Sequence, residues 1–107
     1  MVKKIKILVL APNVPAEVRE IDQSLEAMQA VVGRYVECPT SAFYGNGIDL
    51  WCNEEGKING MEINHRKANP IPGDILCGTY FLSRHTPSGK TKSLTDKDIE
   101  KYTKLLG

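Results

Sequence analysis

The side chains best suited to acid–base or metal chemistry here are His65 and His85, the only histidines in the sequence. Each adjoins an arginine, Arg66 or Arg84, and a neighbouring guanidinium charge disfavours both a protonated imidazole and a bound divalent cation. A two-histidine metal site is therefore not expected. An imidazole set against a carboxylate such as Asp49 could move protons on a nucleotide-like substrate, which requires the two groups within about 3 Å. Ser83 and His85 would share one side of a strand at i and i+2, yet no spacing marks the orienting carboxylate or oxyanion hole that a serine nucleophile needs. Glu54 and Glu55 are consecutive in a turn and point apart into water, which removes the like-charge coupling that tunes a carboxylate pair. Gly89-Lys90-Thr91 matches the tail of a phosphate-binding loop. The first glycine of that motif would fall at position 84, which is Arg84, and the next helix signal comes only at Thr95, so the segment reads as a surface turn.

Cys38, Cys52 and Cys77 are odd in number and widely spaced, with no Cys-x-x-Cys pair. That pattern fits neither a disulfide framework nor a structural zinc site, and Cys52 and Cys77 in apolar stretches read as small buried hydrophobes. No cofactor, metal or catalytic residue is expected from these motifs. Charge is near balance overall, at +1, which excludes a polybasic arm for duplex nucleic acid and an acidic DNA mimic. It is unevenly distributed, however: residues 1–56 hold five basic and eight acidic side chains, whereas residues 57–92 hold six basic and two acidic. If Arg66, Lys67, Arg84, Lys90 and Lys92 share a face, they form a modest anion-attracting patch. Aromatics are too few for a multi-base stacking platform, so nucleic acid is the weaker partner for such a patch.

The elements that must position these residues are legible from periodicity. Residues 4–11 alternate and then turn wholly apolar, as in a strand that enters from the edge and becomes buried on both faces. Pro12 and Pro15 end it, and residues 17–21 offer a more exposed strand returning beside it as a hairpin, with an edge open to a second copy of the chain. Asp22 or Ser24 caps a short helix whose stripe is Leu25, Met28 and Val32, ended by Gly33. Residues 35–38 alternate as a third strand. Residues 48–52 place Ile48, Leu50 and Cys52 on one face and Asp49 and Trp51 on the other, so Trp51 either packs under a helix or stands out as a partner anchor. A turn at residues 53–56 and a return strand at Lys57-Ile58 follow. Residues 67–73 are a breaker-rich loop, and residues 74–82 read as the longest strand, with Gly78 where a neighbour or a ligand approaches closely. Thr95 with Asp98 forms a capping box flanked by Leu94 and Ile99, opening a terminal helix with the stripe Ile99, Tyr102, Leu106 and the ion pair Glu100–Lys104.

These elements make one α+β domain over residues 1–107: a single mixed or mostly antiparallel sheet of about five strands with two short helices packed on it. With 41% hydrophobic and 25% charged residues the chain folds rather than staying disordered. Its longest apolar run, residues 7–11, is far short of the roughly 20 residues a membrane helix needs, and no apolar leader core follows Met1, so a cytoplasmic protein without a membrane contact is expected.

Several stretches taken together resemble a known family. They are Ile21-Asp22 with Leu25, Met28-Gln29 and Val31-Val32-Gly33-x-Tyr35-Val36-Glu37; Cys52-Asn53-Glu54-Glu55-Gly56-Lys57 with Asn59-Gly60; Asp74-Ile75 with Gly78-Thr79-x-Phe81; and Ser93-Leu94-Thr95-Asp96. Across roughly residues 5–106 the chain resembles the domain of unknown function 3846. The adjacent Asn-Arg pair of that family is split here by His65, between Asn64 and Arg66, and the family's proline in that stretch is missing. The resemblance implies a context of phage, plasmid or conjugative elements of bacteria, where such domains occur alone or within large proteins. It implies a small binding module, more a non-catalytic one than an enzyme, that sequesters or modulates a host protein or a small anionic ligand, counter-defence included. The residues expected to meet the partner are Asn53, Glu54, Asn64, His65, Arg66 and Arg84. The alternative is an enzyme or binder acting on a nucleotide-like substrate through the basic segment 57–92.

Overall fold

The computed structural model describes residues 3–33, 36–38, 47–53, 60–66 and 76–106. Its elements run β1 (Lys4–Leu10), β2 (Glu17–Asp22), α1 (Leu25–Val32), β3 (Val36–Glu37), β4 (Ile48–Asn53), β5 (Tyr80–His85), β6 (Thr91–Lys92) and α2 (Asp96–Leu106). They form one antiparallel sheet in the order β2-β1-β5-β4-β3, with β6 added to β5. The α+β class with its two helices is as the periodicity predicts. The radius of gyration is 12.8 Å, close to the ~13 Å typical of a domain this long.

β1 and β5 are central because their side chains are apolar on both faces, and each face has its own helix. On one face Leu8, Leu10, Leu50, Tyr80 and Leu82 pack under Tyr102 and Leu106 of α2. On the other, Ile5, Ile7, Val9 and Phe81 pack under Met28 and Val32 of α1, with Trp51 half-buried beside them. Burying both faces removes more apolar surface from water than a one-sided layer would, at about 25 cal/mol per Å².

Local chemistry sets the element ends. Ser24 Oγ accepts from the Ala27 backbone N–H at 3.2 Å and opens α1, and Gly33 at φ +118° closes it. Thr95 Oγ1 accepts from the Asp98 N–H at 3.1 Å while Asp98 Oδ2 accepts from the Thr95 N–H at 2.9 Å, a reciprocal box that opens α2. The Thr86–Lys90 segment is a hairpin turn, closed by the Thr86 N–H on the Lys90 carbonyl at 2.7 Å, with Gly89 at φ +92°. That is the surface-turn reading of Gly-Lys-Thr.

Three expectations are corrected. Residues 76–79 are not part of the strand expected to be the longest, which starts only at Tyr80, runs on to His85 and is one residue shorter than β1; Gly78 at φ +83° breaks the extended backbone, and Cys77 instead bridges to Ile63. Leu25 is 59% exposed and leaves the α1 stripe to Met28 and Val32: the face that packs is Ala27, Met28, Val31 and Val32, and at 100° per residue Leu25 falls at its margin. The third strand is confined, in the described residues, to Val36–Glu37. Glu54, Lys57, Ile58, Lys67, Asp74 and Ile75 lie outside the described residues.

Candidate functional site

The polar residues singled out in the sequence divide between two ends of the sheet. At the end where β1 stops, Asn64 is buried and donates through Nδ2 to the carbonyls of Leu10 at 2.7 Å and Gly78 at 2.9 Å. Its Oδ1 accepts from Arg66 Nε at 2.8 Å, and the Arg66 guanidinium also bonds the carbonyls of Val14, at 2.9 Å, and Ala11. Asn53, likewise buried, donates to the Val32 carbonyl at 3.2 Å where α1 ends. Met61 fills the space between them, against the glycines: a Cβ on Gly78 would lie 2.7 Å from its sulfur, and one on Gly33 3.6 Å from its methyl. This is the close approach expected at Gly78. Asn53, Asn64 and Arg66 are thus brought to one end of the fold, where each bonds backbone carbonyls of loops and element ends. His65 is exposed beside them.

Arg84 lies apart from that group, on the α2 face. Its Nε and Nη2 meet Asp98 Oδ2 and Oδ1 at 2.5 and 2.7 Å, a bidentate pair that closes the start of α2 onto β5. The guanidinium holds the Asp98 carboxyl down at about 2, well below its ordinary 3.8, against the opposing effect of burial, and Asp98 raises Arg84 in turn. Lys90 and Lys92 sit on the β5–β6 hairpin, at the far end of β1 from Arg66: Leu94, just past β6, bonds Lys6, whereas Arg66 bonds Ala11. The basic residues of segment 57–92 that are described therefore do not gather into one patch.

The opposite, α1 face carries a groove of about 460 Å³ lined by Gln23, Ser24, Leu25, Met28, Trp51, Gly89, Lys90 and Thr91. Trp51 is fixed on the sheet side by two contacts. Its ring stacks on Phe81 with centroids 6.4 Å apart at 19°, and its Nε1 donates to Ser83 Oγ at 2.9 Å. Trp51 thus packs beside a helix and still lines an opening. Gln23 Nε2 donates to the Thr91 carbonyl and ties the start of α1 to β6 across the groove.

On the same face, Asp49 and Trp51 alternate along β4, and His85 stands opposite Thr91 in the β5–β6 ladder. His85 Nδ1 meets Asp49 Oδ2 at 2.8 Å, with side chains 44% and 20% exposed. A Nδ1–H that donates to the carboxylate leaves Nε2 outward, as an acceptor when the ring is neutral and a donor when it is protonated. Ser83 is fully buried and its hydroxyl already receives the indole N–H, so it is not poised as a nucleophile. Cys38, near Asp49, has its thiol pushed up to about 11, first by burial and then by the Asp49 charge, which keeps it protonated and inert at neutral pH. Among the described residues no three His, Cys, Asp or Glu side chains converge as a metal site would require, and no helix is long and apolar enough to cross a membrane.

The sequence marks Asp49, His85 and Trp51 as functional candidates, but it reads Leu25 and Met28 only as a helix stripe and Thr91 only as part of a surface turn, and it does not single out Gln23. The one available signal was Leu25, an apolar residue directly after the cap that the packed face of α1 does not need. No curated protein and no solved structure matches the chain. The family model described as a domain of unknown function (DUF3846) matches residues 5–107, nearly the whole length, and the chain belongs to that family.

Proposed function

We infer that this chain is a small non-catalytic binding module whose ligand seat is the Trp51 groove, and that its ligand is a small anion carrying a planar ring. The observation behind this reading is the groove itself. Its volume lies within the roughly 300–1,000 Å³ of small-ligand sites, and it joins an aromatic and two apolar walls to a few polar groups. Trp51 is held by Phe81 and Ser83, so a planar ligand ring meets a pre-set indole at little cost in side-chain freedom. The anionic preference follows from Lys90. Arg84 is neutralised by Asp98 and Arg66 is committed to carbonyls, whereas Lys90 lines the groove and pairs with no acid among the described residues. Taken with the resemblance, the role is sequestration of a host's small anionic molecule by a module of a phage, plasmid or conjugative element, counter-defence being one use.

Calorimetric titration with nucleoside monophosphates, the parent nucleosides and inorganic phosphate tests this. Saturable binding of the monophosphates, weakened about tenfold by Lys90→Glu and retained by Lys92→Glu, is expected for one lost charge contact. No binding by any ring-bearing anion, or equal loss in both variants, would sink the reading.

One observation favours a second reading, acid–base action on a nucleotide-like substrate: the Asp49–His85 contact meets the distance such a pair requires. It predicts turnover of the bound ligand, abolished in His85→Gln while binding persists. Quantitative recovery of unchanged ligand from the wild-type protein would eliminate it.

A further inference from the structure

β2 ends the sheet, and among the described residues its only ladder is with β1. The far side of this six-residue strand therefore presents backbone donors and acceptors to whatever can pair with them. Charges usually guard such an edge, and β2 carries Glu17, Arg19 and Glu20. Their arrangement also selects a partner.

Arg19 Nε donates to Glu17 Oε1 at 3.0 Å, so both lie on one face of β2, the α1 face to which Ile21 belongs. Val18, 47% exposed, lies on the other. When a second copy pairs antiparallel with this edge about a twofold axis normal to the sheet, faces are preserved, and each residue meets one of its own face. Few registers satisfy that rule. Centring on Glu17, Glu20 or Asp22 sets carboxylate on carboxylate, centring on Arg19 sets guanidinium on guanidinium, and centring on Ile21 sets Glu20 on Asp22. Like charges directly opposite destabilise a strand pair. Centring on Val18 alone escapes: it sets Val18 on Val18 and Glu17 on Arg19 twice, giving a ring of four alternating charges on one face and an apolar pair on the other.

We propose that the chain self-associates through β2 into a twofold dimer with Val18 at the axis, which joins two sheets into one. The partner's Glu17, set opposite Arg19, stands at the rim of a shallow groove of about 280 Å³ along the same edge, where Arg19, Lys4 and Asp22 flank an apolar floor of Ile21, Ala27, Ala30 and Val31. A single short strand buries less than the roughly 1,200 Å² of a standard interface, so the dimer is weak and builds up with concentration. Exposed ion pairs contribute little by themselves, so the charge ring chooses the register while the ladder supplies the attraction.

Sedimentation equilibrium on the full chain, up to about 1 mM where weak interfaces populate, reads this directly. Arg19→Glu makes all four ring positions acidic and weakens the dimer by about tenfold or more, and adding Glu17→Arg to it restores alternating charge and the dimer. Val18→Cys supplies a second readout: its thiols meet across the axis, so it oxidises to a covalent dimer faster than Leu25→Cys, an exposed control. Wild-type protein that stays monomeric, Arg19→Glu protein that dimerises as before, a double variant that is not rescued, or equal cross-linking of the two cysteine variants would each overturn the proposal.

Discussion

Replacing Asp98 by Asn keeps the shape of the side chain and one acceptor for the Thr95 N–H, but it removes the carboxylate charge that the Arg84 guanidinium grips at the root of α2. The magnitude follows from the carboxyl itself. It titrates at about 2 in the folded chain against 3.8 ordinarily, and Asp98 is nearly buried, so little solvent screening applies. At 1.36 kcal/mol per pH unit that difference is about 2 kcal/mol of stability. The folded value is depressed, so the contribution is complete above pH 3.8 and lost as the pH falls toward 2; by linkage about half remains at pH 3. Urea unfolding of both proteins between pH 7 and pH 3 is the assay. The expected result is a gap of about 2 kcal/mol at pH 7, equivalent to roughly 10 °C in Tm, that narrows steadily below pH 4. Equal stabilities at pH 7, or a gap that does not change with pH, would refute the claim that the Arg84–Asp98 pair anchors α2.

Two other outcomes follow from the opposite end of the sheet and from the thiol beside Asp49. Asn64→Ala removes both bonds that tie Leu10 to Gly78 and orphans buried carbonyls, so urea unfolding should show a loss of about 2–3 kcal/mol at an unchanged m-value; a loss under about 0.5 kcal/mol would show Asn64 to be dispensable to the fold. Cys38, held protonated up to about 11, should react with a disulfide reagent slowly at pH 7 and accelerate only in alkali, as followed by mass mapping of the labelled cysteine. Rapid labelling of Cys38 at neutral pH would contradict its burial.

What was legible in the sequence was whatever local chemistry decides. Pro12 and Pro15 punctuate a hairpin, Ser24 and Thr95–Asp98 cap helices, and the apolar run of β1 requires cover on both faces. The run before Tyr80 misled because its composition suits a strand, whereas one glycine at positive φ and the bulk of Met61 turn the backbone aside. The polar residues were hardest to read, since their roles depend on partners distant in the chain. Arg66 reaches Ala11 across 55 positions and Asn64 reaches Leu10 across 54, so nothing near them separates a loop clamp from a ligand contact. The same holds for His85, whose meeting with Asp49, 36 positions away, is created by the β4–β5 register. The Trp51 groove needed three separated segments to close around it, and its walls therefore had no signature in any one of them.

If the groove beside Trp51 seats a ring-bearing anion, as proposed, the chain itself reports it, because Trp51 is its only tryptophan. Titrating the wild-type protein with adenosine monophosphate, adenosine and inorganic phosphate while following indole fluorescence measures occupancy at the proposed seat. The expected result is saturable quenching by the monophosphate, weaker quenching by the nucleoside and none by phosphate alone, with the monophosphate response shifted to higher concentration in Lys90→Glu. Fluorescence indifferent to every ring-bearing anion tried, or a response that Lys90→Glu leaves in place, would contradict it.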